Sequence, residues 1–350
     1  MESSPRILAV ATAVPPHALD QHAVAAQARA MFPARGSEID RLMPVFENSG
    51  IHRRYSCVPL DWYLTPTGWK AKNDLYLENA VTLIEDAAQR CLDAAGVAPD
   101  AVDTIVAVST SGLATPSLDA RLMDRMGFRR DVQRLPIFGL GCAGGVLGLA
   151  RAGAMARAAP GSRVLLLVVE LCGITFRAGD HSKSNIIAAA LFGDGAAAVL
   201  LTCDAVEERP EIEAWGEVTW PDSLDVMGWH VEDDGLGVLF SKDIPSIVRE
   251  RFGREAAAFL AARGLSFDDL DGTICHPGGA KVVEALEAVL GQAPGSMAEA
   301  RSVLREYGNM SAATVLFVLE RVLSKAPRGR YLMSSLGPGF TAGFLLMQAA

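Results

Sequence analysis

An α/β fold built as two similar halves is what this 350-residue sequence predicts, on three observations. Short runs rich in apolar and β-branched residues alternate with longer helical patterns, as in sheets covered by helices. Several of the short runs are apolar nearly throughout, which fits strands buried on both faces. The order of elements also recurs. Asp103-Thr104-Ile105-Val106 precedes Cys142 and then Val164-Leu165-Leu166-Leu167, while Gly272-Thr273-Ile274-Cys275 precedes Asn309 and then Tyr331-Leu332-Met333. Cys142 lies 22 residues before Val164, and Asn309 lies 22 before Tyr331. The strand-to-site intervals are also close, 38 residues from Thr104 and 36 from Thr273. The repeat divides the chain into halves at 1–205 and 206–350. They join around residues 204–213, where Glu207-Glu208-Arg209-Pro210 reads as an exposed connection.

In chain order, the first strand is expected over 7–14, an almost wholly apolar run. A helix over 77–95 follows from Leu77, Val81, Ile84 and Ala88, which recur at helical spacing. Strands over 104–108 and 164–169 are apolar and rich in Val and Leu, and an Ala-rich helical run over 143–158 lies between them. Residues 196–201 complete the strands of the first half. The second half is expected to hold helices over 244–262, 282–290 and 311–323, with strands over 331–334 and 344–347.

Half of the chain is hydrophobic, enough for a large core. Lys and Arg total 32 against 41 Asp and Glu, a net charge of −9 that argues against a general nucleic-acid binder. No apolar run reaches the roughly 18 residues of a membrane span. The start, Met1-Glu2-Ser3-Ser4-Pro5-Arg6, does not read as a signal peptide. Cysteines at 57, 91, 142, 172, 203 and 275 form no C-x-x-C pair, so neither a disulfide framework nor a zinc cluster is expected. A reduced, cytoplasmic protein is the resulting expectation. Two basic clusters, Ile51-His52-Arg53-Arg54-Tyr55 and Trp69-Lys70-Ala71-Lys72, suit either an anionic ligand or a solvated face.

Three residues stand out for chemistry. Cys142 sits in Gly139-Leu140-Gly141-Cys142-Ala143-Gly144-Gly145, at the start of a helical run. Glycines there permit a sharp turn, and a helix N-terminus favours a thiolate. A free cysteine is also commonly just a small buried hydrophobe. His276, in Cys275-His276-Pro277-Gly278-Gly279, follows a short apolar run, placing it in a strand-end loop where catalytic side chains are often presented. Asn309, in Tyr307-Gly308-Asn309-Met310-Ser311, opens another helix; it suits a cap or an amide donor aimed at an oxyanion.

Together Cys142, His276 and Asn309 resemble the catalytic set of the type III polyketide synthases, the chalcone synthase-like branch of the thiolase superfamily. The resemblance runs through Thr12-Ala13-Val14-Pro15-Pro16-His17, Phe176-Arg177 after Glu170, and Leu191-Phe192-Gly193-Asp194-Gly195-Ala196. It ends at Gly337-Pro338-Gly339, the family's C-terminal signature. It implies a five-layer αβαβα fold, a homodimer and decarboxylative condensation of acyl-CoA with malonyl-CoA. No metal or organic redox cofactor is implied, since decarboxylation drives the condensation; the CoA thioesters are substrates.

The resemblance also assigns residues. Cys142 carries the acyl group, while His276 and Asn309 donate to the thioester oxygen. Phe192 would shield the site and orient the malonyl unit, and Val238 stands where plant enzymes have a second gating aromatic. Thr110, Ser111, Cys172, Thr175 and Trp229 align with cavity positions, and Gly337, Pro338 and Gly339 belong to the substrate-binding signature. Arg53, Arg54 and Lys281 are candidates for the CoA phosphates. Trp62-Tyr63-Leu64 and Gly68-Trp69 look like bacterial relatives that make alkylpyrones and alkylresorcinols, so a linear alkyl starter is expected. The alternatives are a ketoacyl-carrier-protein synthase III, an acyl-CoA thioesterase or papain-type hydrolase, and a non-catalytic acyl-binding protein.

Overall fold

The computed structural model describes residues 4–31, 41–206, 208–241 and 243–349. Met1-Glu2-Ser3 and Glu207, which entered the expectations above, lie outside the described residues. Strands β1 (Arg6–Ala13), β2 (His17–Asp20), β3 (Arg53–Ser56), β4 (Thr104–Val108), β5 (Gln133–Ile137), β6 (Arg163–Leu171) and β7 (Asp194–Thr202) lie in the first half. Strands β8 (Glu211–Thr219), β9 (Met227–Glu232), β10 (Gly235–Phe240), β11 (Gly272–Cys275), β12 (Gly329–Gly337) and β13 (Thr341–Ala349) lie in the second. The helices that place the site are α1 (Gln21–Met31), α2 (Trp69–Ala95), α3 (Gly144–Ala158), α4 (Lys183–Leu191), α5 (Ala280–Val289) and α6 (Thr314–Leu323).

The pairing shows the duplication directly. β1 runs antiparallel to β7, β7 antiparallel to β6, and β6 parallel to β4. In the second sheet β8 runs antiparallel to β13, β13 antiparallel to β12, and β12 parallel to β11. Order and sense match strand for strand; β5 is an addition, parallel to β4 at the outer edge. The sheets meet through the pair Arg6–Glu211, whose side chains also form a 2.7 Å ion pair.

Layering follows from which faces are apolar. Along the strands of the first sheet, alternate residues enter different cores, as a period of two demands. Val106, Leu166 and Val199 face the core shared with the second sheet, while Ile105, Leu165 and Leu200 pack under α2. Helices α3 and α6 lie between the sheets: α3 touches β4, β6 and β7 on one side and β8, β12 and β13 on the other. Outside the second sheet, Phe252 and Phe259 stack on Phe344 of β13, each with ring centroids 5.4 Å apart. The result is the five-layer αβαβα arrangement.

Glycines lower helix propensity, yet α3 needs them for close approach. A Cβ on Gly145 would lie 2.3 Å from the carbonyl oxygen of Ala312, and one on Gly148 would lie 2.9 Å from Val108. The start of α3 is therefore pressed against the turn that leads into α6, where the site is carried.

Several elements differ from expectation. The run over 311–323 opens as a tight 3-10 turn, Ser311–Ala313, before α6; the run over 143–158 likewise follows a 3-10 turn, Gly141–Ala143. The 244–262 helix is broken by a π-helical turn over Val248–Phe252. Helix α2 begins at Trp69, eight residues before the first apolar repeat, so the basic cluster of residues 69–72 is its first turn. Lys72 there is buried and donates to the Phe176 carbonyl at 2.7 Å, which answers neither reading of that cluster. β2, β3, β5, β8 and β9 carry too many polar residues to stand out in the sequence, and β10 is a short run interrupted by two glycines.

Candidate active site

Cys142 sits on the Gly141–Ala143 turn that opens α3. Gly141 has φ +47°, and a Cβ on it would lie 2.6 Å from Pro338 Cδ. On the other side, a Cβ on Gly337 would lie 2.6 Å from the amide nitrogen of Ala143. Thr110 Oγ1 accepts the Gly141 N–H at 3.2 Å. The turn is thus clamped between Thr110 and Gly337-Pro338, which presents the thiol at one fixed point. Its Sγ donates to Ser311 Oγ at 3.6 Å, reaching the equivalent turn of the second half.

His276 follows β11 directly, and its N–H donates to the Ser334 carbonyl at 2.9 Å. Both ring nitrogens are buried without a hydrogen-bond partner, a costly arrangement unless something else fills the site. Burial pushes the imidazole down to about 4, so it rests neutral. Asn309 reaches the same place from the other loop. Its Nδ2 donates to the Gly278 carbonyl at 3.1 Å, and its Oδ1 accepts the Ser311 N–H at 2.9 Å. Its amide therefore accepts and donates at once, with a second N–H still available.

The three side chains line one cavity of about 410 Å³, walled by Met227, Phe240 and Leu336 among others. A neighbouring cavity of about 370 Å³ shares Cys142 and adds Cys172, Phe192, Trp229 and Val238. Beyond it lies a larger space, about 700 Å³ including the part open to solvent, whose lining shares Cys172, Phe192 and Val238 with it. Val24, Ala28 and Met31 of α1 form its far wall. Phe192 stands at the boundary, edge-on to Trp229 with centroids 6.0 Å apart.

Burial also decides protonation at Cys142. Desolvation pushes the thiol up to about 12, with Glu170 adding to the rise and Ser311 opposing it. The helix start was expected to favour a thiolate; in the closed site the loss of solvent outweighs it, and the resting pair is neutral thiol and neutral imidazole. The thiol donates to Ser311, and His276, whose ring nitrogens have no partner, lines the same cavity.

The other expected residues fall into different places. Cys172 and Thr175 line the larger space, Thr175 Oγ1 donating to the Cys172 carbonyl at 2.7 Å. Val238 and Phe240 lie on one strand, and both wall the 370 Å³ cavity. Thr110 and Ser111 are buried but line none of the three cavities; their groups bind backbone, Ser111 Oγ accepting the Leu171 N–H at 2.8 Å. Gly337 and Pro338 back the Cys142 turn, while Gly339 has φ +128° in the link to β13. Arg53 and Lys281 are exposed. Arg54 is not: its guanidinium is turned inward onto carbonyls at the end of α4, so it does not offer charge to a phosphate at the surface. That corrects its expected CoA contact.

Sequence reasoning left three features unassigned. Ser311 and Glu170 were present in the motifs, but only the fold puts Ser311 against Cys142. Glu170 is fully buried and accepts the Thr110 N–H at 3.0 Å, its carboxyl pushed up to about 7 by burial. The α1 wall has no local signal, because its contribution is shape alone. Among the described residues, no cluster of His, Cys, Asp and Glu is arranged to hold a metal, and no helix is long and apolar enough to cross a membrane.

Comparison with known proteins agrees with this geometry. The family model of the N-terminal domain of chalcone and stilbene synthases matches residues 2–205, and that of the C-terminal domain matches residues 213–349. The chain is 38% identical to a candidate chalcone synthase of Bacillus subtilis (strain 168), over 97% of each chain. It is 36% identical to a 1,3,6,8-tetrahydroxynaphthalene synthase of Streptomyces peucetius subsp. caesius, covering 98% of this chain and 92% of that one. The crystal structure of 1,3,6,8-tetrahydroxynaphthalene synthase from Streptomyces coelicolor A3(2), a bacterial type III polyketide synthase, superposes with a TM-score of 0.94. It is 27% identical and covers 98% of this chain and 99% of that one. None of these favours a ketoacyl-carrier-protein synthase III or a thioesterase. The chain belongs to the chalcone and stilbene synthase family and is a type III polyketide synthase, an acyltransferase that joins carbon to carbon by decarboxylative condensation.

Proposed function

We propose that the enzyme loads a linear alkyl acyl group from CoA onto Cys142, extends it with malonyl-CoA, and cyclises the product to an alkylpyrone or alkylresorcinol. The observation that carries the starter assignment is the space behind Cys172, which shares Cys172, Phe192 and Val238 with the wall of the Cys142 cavity and whose lining includes Leu19, Val24, Ala28, Met31 and Leu60. Flexible hydrocarbon fills such a space with no polar group left unpaired.

In this reading His276 takes the Cys142 proton as the thiolate attacks the acyl-CoA carbonyl, and returns it to the departing CoA thiolate. Malonyl-CoA then loses carbon dioxide, and the electron pair of the broken carbon–carbon bond becomes an enolate. A ring N–H of His276 and the free N–H of Asn309 hold its oxygen. The enolate carbon attacks the Cys142 thioester, the carbon–sulfur bond breaks, and the thiolate is restored. Each step balances without a metal or redox cofactor. Arg53, on β3, and Lys281, in the first turn of α5, are exposed and remain the proposed CoA phosphate contacts.

We also infer a homodimer. β5 is an open sheet edge, the adjoining Phe138 and Leu113 are 58% and 49% exposed, and buried Asp119 keeps one carboxylate oxygen unpaired. A second copy would cover them; sedimentation of Phe138→Asp as a monomer would support this, and an unaltered mass would not.

The 36% identity to a 1,3,6,8-tetrahydroxynaphthalene synthase supports a second reading, in which the product is a hydroxylated naphthalene without an alkyl chain. Product mass spectrometry with malonyl-CoA and a panel of acyl-CoA chain lengths separates the two. Products carrying the alkyl chain support the first reading. A naphthalene-type product formed equally well without any acyl-CoA would replace it with the second.

A further inference from the structure

Arg54 on β3 is only 4% exposed, yet its four hydrogen bonds all end on neutral oxygens. Nη1 donates to the carbonyls of Ala189 at 2.5 Å and Phe192 at 2.9 Å. Nη2 donates to the Ala190 carbonyl at 2.9 Å and to Gln21 Oε1. A buried guanidinium without a hydrogen-bonded anion is unfavourable unless fixed dipoles replace its water. Here the replacement is the C-terminal end of α4, whose last carbonyls lack helical partners and carry partial negative charge. Gln21 completes the node: its Nε2 donates at 3.1 Å to Ala190, Phe46 and Ser49. Burial lowers the guanidinium to about 10, with Tyr63 and Asp194 opposing the fall, so it stays charged at neutral pH.

The stem of the same side chain is a packing post. Cβ atoms on Gly193 and Gly308 would each lie 3.4 Å from Arg54 Cβ. Those added atoms would also lie 2.5 Å from the Tyr307 carbonyl and 2.9 Å from the Leu191 carbonyl, respectively. Two chain segments are therefore pressed together on Arg54. They are laced by Asn309 N–H to the Leu191 carbonyl at 2.8 Å and Gly193 N–H to the Asn309 carbonyl at 3.0 Å. Phe192 lies inside this clamp, with its carbonyl on Arg54 and its ring at the boundary between the catalytic and starter spaces.

We propose that Arg54 is a positioning residue: through the carbonyl end of α4 it fixes the Phe192 ring between the two spaces and so keeps the malonyl-derived enolate aimed at the Cys142 thioester. The inference rests on the site assignment made above. It predicts a selective defect. Loading of Cys142 needs little from Phe192, whereas extension needs the ring in place.

The test compares Arg54→Met, Arg54→Lys, Phe192→Ala and the Arg54→Met/Phe192→Ala pair. Acylation of Cys142 is followed by intact mass, and extension by product mass spectrometry. Arg54→Met should leave acylation within about threefold while extension falls on the order of tenfold to a hundredfold, as displacement of a positioning group does. Added to Phe192→Ala, it should cause little further loss, because both changes act through one ring. Arg54→Lys keeps the charge without the planar fork and should recover part of the extension. Equal losses of acylation and extension, or full additivity with Phe192→Ala, would overturn the proposal in favour of a general structural role. If Arg54→Met fails to fold, Arg54→Lys decides by the same ratio of extension to acylation. Absence of extension in the unaltered enzyme would instead sink the site assignment and leave Arg54 aside.

Discussion

The space around Cys142 and the larger space behind Cys172 are neighbours built on opposite principles. Around Cys142, each reacting group is delivered by its own turn or strand end: a 3-10 turn for Cys142, the end of β11 for His276, the loop before α6 for Asn309. Backbone contacts fix every one of them, through Thr110, Ser334, Gly278 and Leu191. The larger space is walled by mainly apolar surfaces from several elements, α1 and α4 among them. Chemistry is concentrated in a few atoms whose positions are over-determined. In the proposed reading, selectivity is spread over surfaces whose shape can change without disturbing those atoms.

The sharpest way to break this contrast is Cys142→Ala. It should reduce condensation by more than about a thousandfold, as loss of a catalytic nucleophile does. Chain extension that persists in that variant would refute the role of Cys142. Ala28→Phe probes the other space. It should shorten the longest accepted acyl-CoA by several carbons while leaving turnover of short starters within about twofold. If long and short starters lose equally, the α1 wall is not the starter boundary. A smaller effect tests the electrostatics of the space around Cys142. With the thiol pushed up to about 12, alkylation of Cys142 by iodoacetamide in the substrate-free enzyme should keep rising with pH through pH 9. A plateau near neutral pH would mean that a thiolate already exists at rest.

Legibility followed the same division. Cys142, His276 and Asn309 stood out because each sits in a short glycine-containing motif whose local role is visible without the rest of the chain. The duplicated order of strands was readable from apolar runs and intervals, and β1, β4, β6, β7, β12 and β13 lie where such runs occur. Arg54 was misread because a cationic pair in sequence says nothing about which guanidinium turns inward. Arg53 is exposed beside it, over the Tyr55 ring at 5.3 Å, while Arg54 is buried. Thr110 and Ser111 were assigned to a cavity wall, but their hydroxyls accept backbone N–H groups instead. Neither outcome depends on local pattern; both depend on what the next layer brings against the side chain.

By itself the sequence determined the kinds of reacting groups, their order and the two-half α/β plan, because turn chemistry and hydrophobic periodicity are local properties of the chain. Only the tertiary structure decided that Ser311 meets Cys142, that the resting thiol and imidazole are neutral, and that Arg54 anchors α4 instead of facing CoA. Each of those follows from desolvation and close packing between residues far apart in sequence. The field at Cys142 is set by what surrounds it, and that enclosure exists only once both sheets have closed on α3 and α6.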